Sequence, residues 1–207
     1  MNWLTGLTAG VFVLLAPANY GHAEENVSDF TGVVVTGHAN ANTNVVGVGV
    51  IGEGADMLLG METNDSKVLL ANVSDSFYGL QLTPRRGRTC HIRAFFRGTA
   101  PQTAHYCAGR VTATHLRDAG VAGLGVGQTL HGIGACLTRR GMVGAVSLHA
   151  TDGDEQIAQI FDCDTEFSTV YCEDGWAIQG LQLFFDGEGT GRRHRRLMGL
   201  RPLCTLA

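Results

Sequence analysis

The chain has one lysine, Lys67, four prolines, and no cysteine before Cys90. Each shortage excludes something. The 15 basic and 19 acidic residues leave a net charge of only −4, so global charge names no partner. The scarcity of lysine beside 14 arginines is nothing that folding requires. No C-x-x-C occurs, and cysteine spacings of 16, 28, 26, 8 and 31 intervening residues fit no zinc framework, so no metal or cofactor is expected. There is no H-x-H, no H-E-x-x-H and no Gly-x-Ser-x-Gly elbow, which leaves no zinc-protease or serine-hydrolase site to read. Glycine is frequent instead, 29 of 207 residues, which argues against long helices. The first third lacks cysteine, so it has to hold by burial and strand pairing alone.

One long apolar run is present, Leu4–Ala18. A helix needs roughly 20 such residues to span a bilayer, and this run is shorter. It matches the hydrophobic part of an export signal. Pro17 and Gly21 break it, and Gly21 and Ala23 place small residues before a cleavage point after Ala23. Residues 1–23 are therefore expected to be a signal peptide and 24–207 a single domain, secreted or periplasmic, without membrane contact once cleaved. Export makes disulfides the default for Cys90, Cys107, Cys136, Cys163, Cys172 and Cys204, with the pairing left open. Asn26, Asn64 and Asn72 begin Asn-x-Ser sequons.

Apolar residues alternate at period two in short runs bounded by turn residues, which predicts strands. These run over Gly32–Gly37, Val45–Gly52, Lys67–Val73, Phe77–Leu82, Cys90–Phe96 and Arg110–Leu116. They continue over Leu130–Leu137, Met142–Ala150, Gln156–Asp162, Trp176–Phe185 and Arg196–Cys204. Phrases recur: "YGLQL" at Tyr78–Leu82 echoes "QGLQL" at Gln179–Leu183. The pattern predicts an all-β domain of six hairpin-like repeats. The β-prism and the β-trefoil use that number, and sandwiches and barrels remain open.

The segment Cys172, Gly175, Trp176, Ala177, Gly180, Leu181, Leu183, then Asp186-Gly187-Glu188-Gly189, then Leu197, Gly199, Leu200, Arg201, Cys204 resembles the repeat of vitelline membrane outer layer proteins. Cys107 to Cys136 looks like a more decayed copy. The chain has "GRRHRRLMG" where that family carries an acidic phrase followed by Thr-Ala-Leu-Asn. The resemblance implies a β-prism of three four-stranded sheets. It also implies a secreted, disulfide-bonded protein of extracellular coats with a link to carbohydrate. On this reading Cys172 and Cys204 tie the ends of one hairpin.

The loops Gly153–Gln156, Phe184–Gly191 and His38–Asn44 could bind sugar, with an aromatic ring against its apolar face and Asp, Asn and backbone amides on its hydroxyls. Trp176, Asp186 and Glu188 would serve if they met at adjacent strand ends; otherwise Trp176 is a core aromatic and Asp186 a turn former. The run Arg192–Arg196 could meet a polyanionic polysaccharide, with Arg193 and Arg195 on one face, or could be a solubilising turn. It has no interleaved aromatics, so nucleic acid is not expected. His115 and His131, on neighbouring predicted strands, could meet in space. Three functions follow. A secreted glycan-binding or coat protein leads. A glycosidase or transglycosylase using turn carboxylates, and a protein-interaction or inhibitor module, are the alternatives.

Overall fold

The computed structural model describes residues 32–40, 43–51, 57–71, 75–186 and 195–206. The expected signal segment, the sequons at Asn26 and Asn72, and the candidates Glu188 and Arg193 lie outside the described residues.

The strands are β1 (Gly32–Asn40), β2 (Thr43–Ile51), β3 (Leu59–Gly60), β4 (Asp65–Leu70), β5 (Ser76–Arg85), β6 (Arg88–Arg97) and β7 (Gln102–His105). After a one-turn helix, α1 (Ala113–Arg117), come β8 (Gly120–Gly123), β9 (Leu130–Leu137), β10 (Val143–Ala150), β11 (Glu155–Gln159), β12 (Ser168–Tyr171), β13 (Trp176–Phe185) and β14 (Leu197–Leu206). β1 and β2 pair as a separate hairpin. The others form three antiparallel four-stranded sheets, in the orders β7-β6-β5-β8, β11-β10-β9-β12 and β3-β14-β13-β4. This is the β-prism architecture.

Each sheet is built to one plan. A long central hairpin is flanked by one short strand on each side. In the first two sheets the four strands are consecutive in sequence; in the third, β13 and β14 are flanked by β4 and β3 from the other end of the described chain. The registers repeat as well. Tyr78, His131 and Gln179 are each an unpaired extra residue in the first strand of a central hairpin, and each is followed by a glycine: Gly79, Gly132 and Gly180. The "GLQL" echo thus falls on equivalent places in β5 and β13.

These registers explain the core. Two residues from each central hairpin point inward in each of three layers. One layer is Phe77, Phe96, Leu130, Ala150, Ile178 and Cys204; the next is Leu80, Ala94, Ile133, Leu148, Leu181 and Pro202. The third is Leu82, Ile92, Ala135, Val146, Leu183 and Leu200. All are buried, and alanines sit beside larger partners so that each layer fills without strain. The outer side of the third sheet is also closed: Leu70 and Leu203 are buried there with Gln182 and Arg201, and β2 packs against β14. The outer sides of the other two sheets carry exposed residues.

Disulfides join Cys90 to Cys107, Cys136 to Cys163, and Cys172 to Cys204. The last closes the hairpin as the resemblance implies. Cys107 does not close a copy of it with Cys136, because Cys107 is tied to β6 and Cys136 lies on the first strand of its hairpin, whereas Cys204 lies on the second.

The run Arg110–Leu116, expected as a strand, is instead irregular over its first three residues and helical in α1 over the rest. The bond to Cys90 holds Cys107 against β6, and the place beside β5 is filled by β8. Leu116 N–H donates to the Thr112 carbonyl, and Thr112 N–H to His115 Nδ1 at 3.1 Å. His115 therefore does not sit on a strand beside His131. β3, β7, β8 and β12 are too short to announce themselves by alternation.

β6 and β7 also place two histidines side by side. His105 Nε2 faces the Gly109 carbonyl at 3.1 Å, so its Nδ1 accepts and His91 Nδ1–H donates across 2.9 Å. Burial, then His105 and Arg93 nearby, hold the His91 imidazole well below its ordinary value, at about 4.

Two outcomes are expected. A Cβ on Gly180 would collide with the Leu69 carbonyl and the Leu70 backbone of β4, whereas one on Gly123 meets only the Tyr78 carbonyl at 3.9 Å. Gly180→Ala should cost about 1–3 kcal/mol in chemical denaturation and Gly123→Ala well under that. His91 binds a proton more readily unfolded than folded, so its contribution is intact above about pH 6.5 and is lost as pH falls toward 4. Melting curves of the wild type should drop over that window more steeply than those of His91→Gln.

Candidate functional site

Among the described residues, Trp176 and Asp186 do not meet. Trp176 opens β13 and Asp186 follows its end, so a ten-residue strand separates them, about 30 Å in length. The Trp176 side chain is half-buried and packs on the core. Asp186 closes the base of the last hairpin. Its Oδ1 accepts Arg196 N–H, and its Oδ2 accepts Arg196 Nε–H at 2.6 Å. Arg195 is equally committed: it forms an ion pair with Asp65 and stands 5.3 Å over the Tyr106 ring. Its own N–H donates to the Tyr106 carbonyl at 3.1 Å. These arginines join β13 and β14 to β4 and to the segment after β7.

A different group of side chains comes together on the outer side of β11-β10-β9-β12. Outward positions of β9 are Gly132 and Gly134. Opposite them stand His149 and Ser147 on β10, and Tyr171 and Thr169 on β12. β11 adds Glu155 beside His149 and Ile157 beside Ser147. Two rows cross the sheet: Glu155–His149–Gly132–Tyr171 and Ile157–Ser147–Gly134–Thr169. A Cβ on Gly132 would collide with the Tyr171 ring, and one on Gly134 with the Ser147 hydroxyl. Gly132 is the floor across which the tyrosine lies, and Gly134 makes room for the Ser147 and Thr169 hydroxyls.

Tyr171 is 54 % exposed, and its ring lies 5.6 Å from that of His149 and 5.7 Å from that of His131. His131 comes within reach because it is the extra residue of the β9 bulge. Its Nδ1 faces the Trp176 carbonyl at 3.3 Å, so Nδ1 carries the proton and Nε2 is the accepting nitrogen. His149 Nε2 bonds the Ser147 hydroxyl at 2.8 Å and lies 3.7 Å from Glu155 Oε1. Serine and carboxylate thus approach the same ring nitrogen, and Ser147 is fully buried. A nucleophile relay divides its partners between the two nitrogens, so these three residues are not one.

Turns at this end of the sheet add an acidic rim. Gln128 Nε2–H donates to Asp152 Oδ2 at 2.9 Å and to Asp154 Oδ2, while Gln128 Oε1 accepts Gly125 N–H at 2.6 Å. The Gln128 amide, followed by the Asp154 N–H, lowers the Asp152 carboxyl from its ordinary range. Glu173 and Asp174 are exposed in the β12–β13 turn. An exposed ring flanked by imidazoles and carboxylates can stack on an apolar face and exchange hydrogen bonds with hydroxyls around it. The Gly153–Gln156 loop was legible as a candidate; Tyr171 was not, since its place depends on the pairing of β12 with β9. Among the described residues no group of three or more His, Cys, Asp or Glu could hold a metal ion.

No protein-family model matches the chain, and no curated protein does. Solved structures do. Calystegia sepium agglutinin superposes with a TM-score of 0.50 at 9% identity, over 72% of this chain and 93% of that one. A prostate-specific glycoprotein lectin gives 0.48 at 12%, over 72% and 98%, and Malaysian banana lectin 0.46 at 10%, over 72% and 96%. At such identities the likeness is one of fold.

Asp186→Asn removes one member of a partly buried, charge-assisted pair. It should lower stability by about 1–3 kcal/mol in denaturant titration, and leave any saccharide binding unchanged.

Proposed function

We propose that the protein is a secreted, glycan-binding component of an extracellular coat, and that its saccharide site is the Tyr171 face. The exposed Tyr171 ring carries this reading, set on a glycine floor between His131 and His149 with Glu155 in the same row. Its four strands are hydrogen-bonded to one another, which keeps the groups pre-positioned and lowers the ordering cost of binding. A sugar presents an apolar C–H face and a ring of hydroxyls. The phenol ring suits the first; Glu155, Asp154 and the imidazoles suit the second, with charge-assisted bonds to carboxylate the stronger.

Three further observations support the reading. An agglutinin is among the solved structures with this fold. The hairpin Cys172–Cys204 resembles the vitelline membrane outer layer repeat and is closed by its disulfide. Three disulfides suit an oxidising compartment, in keeping with the export signal expected over residues 1–23 and a domain over 24–207. Trp176, Asp186 and Arg195 become supports of the fold in this account, with ligand contact assigned to Tyr171 and its neighbours.

A glycan array read with wild type, Tyr171→Phe and Tyr171→Ala tests it. Tyr171→Phe keeps the ring and should stay within about threefold of wild type. Tyr171→Ala should bind at least about tenfold more weakly, or ~1.4 kcal/mol, with an unchanged melting temperature. Absence of binding to every glycan, cleavage of one, or full binding by Tyr171→Ala would each overturn the proposal.

A further inference from the structure

The small net charge conceals a strong segregation. Between residues 75 and 125 there are seven arginines, Arg85, Arg86, Arg88, Arg93, Arg97, Arg110 and Arg117, against Asp75 and Asp118 alone, with no lysine or glutamate. Between residues 126 and 175 the balance reverses to eight carboxylates against Arg139 and Arg140. The first segment builds the sheet β7-β6-β5-β8 and the second builds the sheet that carries Tyr171. Two open sides of one prism therefore bear opposite charge.

The arginine-rich side is ordered. Its outward rows are His105–His91–Thr83, Thr103–Arg93–Gln81–Val121, and Phe95–Gly79–Gly123. The Arg93 guanidinium stands 5.5 Å over Phe95, and that of Arg97 4.9 Å over Tyr78, with the two aromatic rings 6.2 Å apart. Arg97 is further fixed by the Leu124 and Gly125 carbonyls. Arg86, at the β5–β6 tip, and Arg93 are exposed and form no ion pair with the described residues.

We propose that this face binds a linear anionic polysaccharide, at a site separate from Tyr171 and not dependent on it. Guanidiniums suit carboxylate and sulfate groups through paired N–H donors, and stacking on rings holds their planes in place. The charges form a track: Arg93 and Arg97 are about 13 Å apart along β6, and Arg86 extends it to the hairpin tip. Spaced charges on an open strand surface fit successive anionic groups of a chain better than a single small anion. Gln81 and Thr103 stand in the same row and can meet hydroxyls. Phe95 and Tyr78 are already covered by guanidiniums and by each other, which leaves no open ring for nucleobases. Val121 is the one large apolar side chain exposed in these rows, too little for insertion into lipid.

Salt-gradient retention of the full chain on immobilised heparin, dextran sulfate and polygalacturonate, with neutral dextran as control, tests the proposal. Wild type should be retained on at least one polyanion and pass through dextran. Arg86→Glu with Arg93→Glu should abolish retention at 0.15 M salt, about the physiological ionic strength, while Tyr171→Ala should elute as wild type. The charge-neutral pair Arg86→Gln with Arg93→Gln guards against misfolding and should shift elution to lower salt with melting unchanged. Preference for dextran sulfate or for polygalacturonate separates sulfate from carboxylate recognition. No retention on any polyanion, retention untouched by either double variant, or displacement by a single-stranded oligonucleotide at lower concentration than dextran sulfate would each overturn it.

Discussion

Three sheets can meet around one axis only if each central hairpin delivers two side chains, and no more, to every layer of the interior. The rest of the molecule depends on that constraint. It sets the register, so that Leu80, Ile133 and Leu181 occupy one level although the three sheets share little sequence. It decides where large residues need small partners, as with Leu80 and Ala94. It also leaves the outward positions free of the core. An inward change is felt by all three sheets through close packing, whereas an outward change concerns one sheet alone. One fold can therefore carry a closed side, an acidic side with an exposed tyrosine, and an arginine-rich side.

The third sheet draws its strands from both ends of the described chain, and polar contacts secure it where the hairpin β13–β14 turns. Asp186 holds Arg196, Asp65 pairs with Arg195, and Thr63 donates to the Phe185 carbonyl at 2.6 Å. Tyr106, packed 4.1 Å from the Phe185 ring, receives Arg195 as well and links this corner to the neighbouring sheet. Arg195, which with Arg193 suggests a polyanion surface when met in sequence, is in space paired with Asp65 and set over the Tyr106 ring. Lone charge runs are ambiguous for this reason: whether a guanidinium meets solvent or a carboxylate from another strand is settled by tertiary contacts that no local pattern contains.

Much of the fold was legible because long strands with one side in the core alternate cleanly. The expected limits of β9 and β13 match residue for residue, and the other central strands differ by a few residues at their ends. The flanking strands were harder. β3 has two residues and β8 is half glycine, and both are defined by the neighbour that pairs with them. Arg110–Leu116 alternates as a strand would, yet the Cys90–Cys107 bond and the filled place beside β5 leave it no partner. The Tyr171 face was hidden for a related reason. Gly132, His149, Glu155 and Tyr171 are up to 39 residues apart in sequence and become neighbours only through three strand registers. The bulge that brings in His131 shows in no composition or period.

The split third sheet has one more consequence. In the two consecutive units, the strand after the central hairpin pairs with the hairpin's second member and the next pairs with its first. β3 and β4 stand in those same relations to β14 and β13. β3 runs antiparallel to β14 with Leu59 opposite Leu200, so Met57 lies toward the β14 end that precedes the C-terminus. A chain in which β3 and β4 followed β14 would read as three whole modules in tandem. Each module can then differ on its outer surface while its inward residues stay held by the shared core.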